Sequence, residues 1–573
     1  MNGSTTSGAR AALSAGVPIE VVLASAVAGS GGPAFMVDGD VIEPVVLDGP
    51  VDPTDGGGLG RLYESLMDWQ DRRSLGAFYT PPEVAAALVA QVVARGTVVD
   101  PACGGGAFLL AAAQRLFDMG VGTRVEIATR MLFGADIDPL AVAVCRWTLA
   151  SWAGTPSGEI AGVVVGDSLR DPAGLWAGRP EAGFEAVVGN PPFLGQVRGG
   201  TVRDVDERKV LRERFGDLVG AYTDTAWLFL ALGLDLLVDQ GRMALIQPQS
   251  LLAARDAASV RSRLLSGGCL EALWFDRTRI FGGRTEVCAP VVRRGSRQAS
   301  VRLFVDREVS PAGKVAAPQT GERWGGLVSE LLGIPSVNLR ATSEAVGPVG
   351  ERASVTAGFR QHYYGLVPAT RERSGGSDTG SPLITTGLVD PLRCGWADQP
   401  ARFAGRNWIA PVVDRDSVAG VDPSVANWLE ARRRPKLLVA TQTRVIEVVV
   451  DETGEMVPVT PLLIVEPETG FLWKLAAALS APPVTAMAAR TTLGAARASD
   501  RIKLSARQVC GIPLPVDEGA WSEGEELVQQ LWKSAGEAGP EVWLAFGSVM
   551  CRAYGVKESP VLEWWWSRHP AGV

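Results

Sequence analysis

The chain has 573 residues, 46% of them hydrophobic and 21% charged, with a formal net charge of −8. At roughly 150 residues per domain this exceeds one compact core, so at least two domains are expected. No run reaches the roughly 18 apolar residues of a membrane-spanning helix, which argues against an integral membrane protein; this hydrophobic content also argues against a wholly disordered chain.

Residues 1–58 read as an N-terminal extension: a Ser/Thr/Gly-rich start, one apolar element in PIEVVLASAVA, and a loop at VDPTDGGG. The start lacks a continuous apolar core before a small-residue cleavage site, so a secretory leader is not expected and the cytoplasm is the expected compartment. From Leu59, apolar residues Leu59, Leu62, Leu66 and Trp69 recur at spacings of three and four, which predicts an amphipathic helix. A second helix opens at Pro81-Pro82 and closes at Gly96. The apolar strand TVVD then runs into a glycine turn, and two further strands end in GADIDP and VVVGD, with helical segments between. Strand and helix in alternation predict a parallel, doubly wound α/β sheet. The strand FEAVVGN (184–190), an Arg/Asp-rich loop, the helix TAWLFLALGLDLL and the strand RMALIQP follow. Beyond about residue 300 the alternation stops. The expected domains are therefore a catalytic sheet over 59–300, a connecting region over 301–383 with a flexible loop at RERSGGSDTGSP, an α+β region over 384–520 and a helical C-terminal segment over 521–573.

Four strand ends carry chemistry. In Asp100-Pro101-Ala102-Cys103-Gly104-Gly105-Gly106 a glycine turn lets backbone pass close to a ligand, and the helix beyond offers N–H groups to a polar one. Asp136 ends the next strand, where a carboxylate accepts both hydroxyls of a ribose, and Asp167 follows the third, beside an adenine edge. The fourth strand ends in Asn190-Pro191-Pro192-Phe193. The two prolines stop the strand and hold the backbone beside Asn190. An exocyclic amine conjugated with a purine ring is a poor nucleophile. If the Asn190 amide oxygen and the Pro191 carbonyl accept its two hydrogens, its lone pair localises toward an incoming methyl group while Phe193 stacks on the base.

VVDPACGGGAF, GADIDP, GDSL and NPPF, in that order, resemble the motifs of gamma-class DNA adenine-N6 methyltransferases, and RRSLGAFYTPPEV resembles the element that precedes the glycine motif in that family. The resemblance implies a class I S-adenosylmethionine-dependent methyltransferase sheet, with Tyr79, Thr80, Pro81, Asp100, Pro101, Ala102, Cys103, Gly104, Gly106, Asp136, Ile137, Asp167, Ser168 and Asn190 around the cofactor S-adenosyl-L-methionine. It implies Asn190, Pro191, Pro192 and Phe193 as catalytic residues and Phe281 as a second aromatic against the flipped base. Phe193 stands where Tyr is commoner, which keeps the stacking face, and Gly105 stands where Ser is frequent. More loosely, 384–555 resembles the C-terminal target-recognition regions of type IIG and BREX-like methylases. The expected partner is double-stranded DNA, with a separately encoded restriction nuclease or other defence protein as a candidate partner. Alternatives are a catalytically silent cofactor- and DNA-binding subunit, or an enzyme acting on cytosine N4, RNA adenine or glutamine N5.

The net charge of −8 opposes a nucleic-acid partner only as a chain average. Residues 251–300 hold nine Arg against four acidic residues, and Arg432, Arg433, Arg434 and Lys436 form a second basic cluster. With Arg284, these four are the expected DNA contacts. Two histidines, His362 and His569, and seven cysteines without a CxxC pair leave no basis for a metal site or a Ser-His-Asp hydrolase.

Overall fold

Val98 and Val99 are both fully buried at successive positions of one strand, which requires cover on both faces of its sheet. The computed structural model describes residues 12–13, 17–28, 32–44, 58–66, 80–193, 205–220, 222–278, 280–281, 286–339, 346–358, 360–375, 378–493 and 501–572, and it divides into two units, Met1–Leu327 and Val328–Val573.

In the first unit β1 (Val98–Asp100), β2 (Leu132–Asp136), β3 (Val163–Val165), β4 (Phe184–Gly189) and β5 (Leu237–Leu245) are parallel. With β6 (Gln247–Pro248), β7 (Gly268–Phe275), β8 (Val287–Arg294), β9 (Ser300–Val305) and β10 (Ser310–Ala316) they form a ten-stranded sheet in the order β10-β9-β7-β8-β5-β4-β1-β2-β3, with β6 pairing β8. β8 runs antiparallel to both β5 and β7. The chain builds outward from β1 through β2 to β3, then returns to lay β4 on the other side. The strand order therefore reverses between β1 and β4, and a crevice opens at their carboxyl ends.

Among the helices of this unit are α1 (Ile19–Val27), α2 (Gly58–Leu66), α3 (Pro82–Val92), α4 (Ala107–Asp118), α5 (Pro139–Ala153), α6 (Thr225–Leu236) and α7 (Ala258–Gly267). α3, α4 and α5 cover one face, burying Val84, Leu88, Leu109 and Cys145 against Val98, Val188 and Ile246. α6 covers the other, where Gly233 lies against Val187, Met243 and Leu245, the alternate residues of β4 and β5. The apolar N-terminal element is helical, and α1 packs with α2, Phe35 and the Ala143/Trp147 side of α5.

The sheet extends past the expected limit at residue 300. β9 pairs in parallel with β7 and β10 closes on β9, so this unit runs to Leu327. Without them β7 would present a row of unpaired N–H and C=O groups at an edge.

The second unit holds two four-stranded sheets and, among the described residues, nine α-helices; five of these, apart from the short Ala506–Cys510, lie in its C-terminal part from Leu472. β11 (Ala353–Ala357), β12 (Thr370–Glu372), β13 (Ser381–Ile384), β14 (Ala401–Phe403), β15 (Arg406–Trp408), β16 (Pro411–Val413), β17 (Lys436–Val439), β18 (Val448–Asp451), β19 (Val457–Pro458) and β20 (Leu463–Pro467) are its main strands, ordered β11-β20-β17-β18 and β12-β16-β13-β19, with β14 and β15 as a separate ribbon. Residues 353–383, expected to be a connector, thus supply three sheet strands. The loop expected to be flexible is organised around Asp378, whose carboxylate accepts from Arg371, from the Ser374 backbone at 2.8 Å and from the Gly380 backbone at 2.9 Å. The C-terminal segment is helical as expected, in α10 (Glu518–Lys533), α11 (Pro540–Ala553) and α12 (Glu558–Trp566), but two helices, α8 (Leu472–Ser480) and α9 (Pro482–Thr492), precede it. Among the described residues no helix is long and apolar enough to cross a membrane.

Candidate cofactor and catalytic site

β1 ends in Asp100, which is buried and turns its Oδ1 back to accept the Ala102 N–H at 3.0 Å. Burial pushes this carboxyl up to about 8, and the negative charge of Asp136 adds to the effect. Gly104 and Gly106 adopt φ of 49° and 88°, and Gly106 caps α4 without a side chain, leaving the helix's first-turn N–H groups uncapped by any side chain. Gly105 meets α2 backbone to backbone: a Cβ on it would lie 3.0 Å from Gly60 Cα. A side chain at 105 would require Gly60 to give way by a few tenths of an ångström. Cys103 turns its thiol inward, so that a Cβ on Gly134 would lie 3.2 Å from its Sγ, and it offers the site its backbone alone.

The Asp136 carboxylate accepts the Gly104 N–H at 2.9 Å through one oxygen and the Asp138 N–H at 3.0 Å through the other. Its pKa is raised, chiefly by burial. Next to it Ile137 is 62% exposed, an apolar side chain standing out at a strand end. Asp138 has a structural role: it caps α5 through the Leu140 N–H and accepts the Tyr63 hydroxyl of α2. After β3, Asp167 accepts the Leu169 N–H at 2.9 Å, and Ser168 Oγ donates to the Pro101 carbonyl at 2.7 Å. Hydrogen bonds through residues 101–104 therefore tie the ends of β1, β2 and β3 into one surface.

The pH response of Asp100 follows from its environment. Its folded pKa of about 8 lies above the unfolded value near 3.8, so its contribution to stability is fully present below pH 4 and is lost as pH rises through 8. Asp100→Asn mimics the protonated side chain. The variant is expected to melt at a higher temperature than the parent at pH 8 to 9, by several degrees, with the difference shrinking toward pH 4 in thermal scans.

At the end of β4, Asn190 Nδ2 donates to Thr80 Oγ1 at 3.1 Å, so the amide is oriented by the residue that leads into α3. Thr80 is buried, and this partnership with Asn190 adds to its expected place near the cofactor. Pro191 is buried; Pro192 and Phe193 are half-buried. The Ile246 N–H donates to the Gly189 carbonyl at 3.0 Å and locks the last strand residue to β5. Gly189 itself, which sequence reasoning passed over, has φ 151°, and a Cβ on it would lie 2.5 Å from Asp100 Oδ1. The ends of β1 and β4 are in direct contact there. Phe193, Ile280 and Phe281 all pack on the core that contains Ile246, Trp274 and Val287. Asp276, fully buried and also unforeseen, holds the turn bearing Phe281 by accepting the Thr278 and Ile280 N–H groups at 2.8 and 3.0 Å. Tyr79 and Arg284 lie outside the described residues. Among the described residues no cluster of three or more His, Cys, Asp or Glu could hold a metal ion.

The expected basic surfaces are corrected by their partners. Lys436 is fully buried, with Nζ 2.5 Å from Asp451 Oδ2 and 2.9 Å from the Gly454 carbonyl, so it cannot meet a phosphate. Arg433 pairs with Glu455 at 2.8 Å and Arg434 with Glu466 at 2.9 Å, while Arg432 lies over the Trp428 ring. Part of the Arg surplus of 251–300 is likewise engaged internally. Arg261 donates to the Leu251 carbonyl at 2.7 Å, Arg263 pairs with Asp235, Arg277 with Asp306 and Arg293 with Glu271. Sequence position gave no sign of these acids, which are recruited from up to 32 residues away.

Residues 55–310 match the family model "N-6 DNA Methylase". The chain is 28% identical over 222 residues to the type I restriction enzyme EcoEI methylase subunit of Escherichia coli, covering 37% of this chain and 40% of that one. It is 26% identical over 247 residues to the adenine-specific methyltransferase PglX of Streptomyces coelicolor, covering 32% and 19% respectively. The matches thus span less than half the length of these relatives. Among solved structures, the type IIL restriction-modification enzyme MmeI in complex with DNA superposes with a TM-score of 0.54 at 14% identity, over 88% of this chain and 79% of that one, a likeness of fold. Over residues 55–310 the chain is therefore similar to N-6 DNA methylases, and these residues carry most of the doubly wound sheet described above.

Proposed function

We propose that the chain is an S-adenosylmethionine-dependent DNA methyltransferase that methylates N6 of an adenine flipped out of duplex DNA. It would act in the cytoplasm within a restriction-modification or related phage-defence system, alongside separately encoded partner proteins. The observation that carries this reading is Asn190: its amide nitrogen is held by Thr80, which turns the amide oxygen away from that contact, at the strand end beside the topological switch point.

The residues at the strand ends fit the cofactor. Each Asp136 oxygen already accepts one backbone N–H and keeps a further lone pair, which suits a ribose diol. Exposed Ile137 supplies an apolar plate for an adenine, with Asp167 at the next strand end. Asp100 places a second carboxyl near the glycine turn, where a cationic ligand would favour its ionised form. When bound, S-adenosylmethionine supplies an electrophilic methyl on a cationic sulfur. Asn190 Oδ1 and the Pro191 carbonyl accept the two N6 hydrogens of the target adenine, which localises the nitrogen lone pair for in-line attack. Phe193, with Phe281, holds the extruded ring by stacking, and the proton lost from N6 after transfer passes to solvent.

Incubating the chain with methyl-labelled cofactor and duplex DNA, followed by nucleoside analysis, tests this reading. Label in N6-methyladenine is the expected outcome; label in N4-methylcytosine, RNA or protein, or none with DNA binding intact, would replace it. Asp136→Ala is expected to weaken cofactor binding by at least about tenfold in calorimetry, since a single acid engaging a diol contributes on the order of 1.5–3 kcal/mol.

A further inference from the structure

In the second unit, β14 and β15 pair Ala401 with Trp408, Arg402 with Asn407 and Phe403 with Arg406, leaving a two-residue turn at Ala404-Gly405. Both turn residues have positive φ, 50° and 77°, the geometry that matches the right-handed twist of paired strands. Alanine is strained in that region, and it persists only where its surroundings hold it. Tyr363 does so: its hydroxyl accepts the Ala404 N–H at 2.9 Å and its ring packs edge-on against Phe403 at 4.8 Å. Trp408 Nε1 donates to the Phe403 carbonyl at 3.0 Å and ties the two strands together. Ala401 and Phe403 are buried, so the ribbon is anchored by its inner face.

The outer face carries Arg402 and Asn407 as an exposed cross-strand pair, with exposed Arg406 at the turn. Arg371, Arg393, Arg415, Arg433 and Arg434 of the same unit are each paired with an acid. Among the described residues, neither Arg402 nor Arg406 has such a partner. Tyr364, 68% exposed, stacks edge-on against Tyr363 beside the turn, and Ile409, 58% exposed, follows the ribbon. A rigid two-stranded ribbon with donor-rich, acid-free side chains matches the major groove of B-form DNA, which admits such a ribbon and presents the acceptors of guanine and the donor and acceptor pair of adenine.

We propose that this ribbon enters the major groove of duplex DNA, where Arg402 and Asn407 read base edges and Arg406 contacts phosphate. The proposal rests on the reading that the chain acts on DNA, and it moves the expected DNA contacts from the neutralised Arg432–Lys436 cluster to the ribbon.

The test is selection from a randomised duplex pool by the full chain, with sequencing of the bound fraction and of methylated adenines. Arg402→Ala and Asn407→Ala are expected to leave melting temperatures unchanged and to relax preference at one or two base positions each, by about 5- to 100-fold in discrimination. Arg402→Lys should not restore it, because a point charge lacks the guanidinium fork. Arg406→Ala should weaken binding to all sequences alike and lower the slope of log affinity against log salt by about one. An unchanged base preference in both Arg402→Ala and Asn407→Ala overturns the ribbon proposal while leaving the methyltransferase reading intact. No duplex binding by the parent protein overturns it as well. Selective binding that relaxes in these variants without any methylation supports the ribbon and removes the enzymatic reading.

Discussion

Asn190→Ala is expected to lower methyl transfer to DNA by about 10²- to 10³-fold or more, the cost of removing a fixed group that stabilises the transition state. The amide is preorganised through its contact with Thr80, and the strand end bearing it is locked to β5 by the Ile246–Gly189 hydrogen bond. Nothing in alanine can accept an amine hydrogen, so the lone pair of the target nitrogen stays delocalised into the ring. Cofactor affinity, which the proposed site assigns mainly to the ends of β1 to β3, is expected to change by less than about threefold. Single-turnover transfer measured beside calorimetric titration separates the two. Full activity in Asn190→Ala would remove this residue, and the chemistry assigned to it, from the site.

Gly189→Ala should be more damaging to the fold than its size suggests. A Cβ there meets Asp100 Oδ1 at 2.5 Å, and φ of 151° is a conformation that side-chain-bearing residues rarely adopt. Backbone strain of about 1–3 kcal/mol and overpacking of similar size predict a loss of roughly 2–5 kcal/mol in urea unfolding. Adding Asp100→Ala removes the clash and leaves the strain, so the double variant should recover about half of the loss. Simple additivity of the two substitutions would show that the contact carries no coupling. Because Asp100 leads into the glycine turn and Gly189 precedes Asn190, this one contact sets the spacing between the two halves of the site.

Much of that candidate site was legible in the local sequence for a physical reason. In a doubly wound sheet the reactive groups lie at the carboxyl ends of strands, where a short apolar run passes into a turn, so each motif is contiguous in the chain: the glycine turn after Asp100, Asp136, Asp167 and the Asn-Pro-Pro-Phe stretch. The limit of the catalytic unit was harder to read. β10 is the edge strand and is largely exposed, and β9 beside it carries an exposed Arg302, so they lack the continuous apolar pattern that marks the central strands. The turn around Asp378 has the composition of a linker, but one carboxylate collects enough donors to shape it.

By itself, the sequence determined the doubly wound sheet and the order of its strand-end motifs. These depend on periodicity and on spacing along the chain. Tertiary structure decided which polar groups already have partners. Thr80 meets Asn190 across 110 residues, Tyr63 meets Asp138 across 75, and Lys436 is buried against Asp451. A row of basic residues becomes a binding surface only where folding brings no acid to it. In this chain folding neutralised the cluster at 432–436, and it left Arg402 and Arg406 of the ribbon without an acidic partner among the described residues.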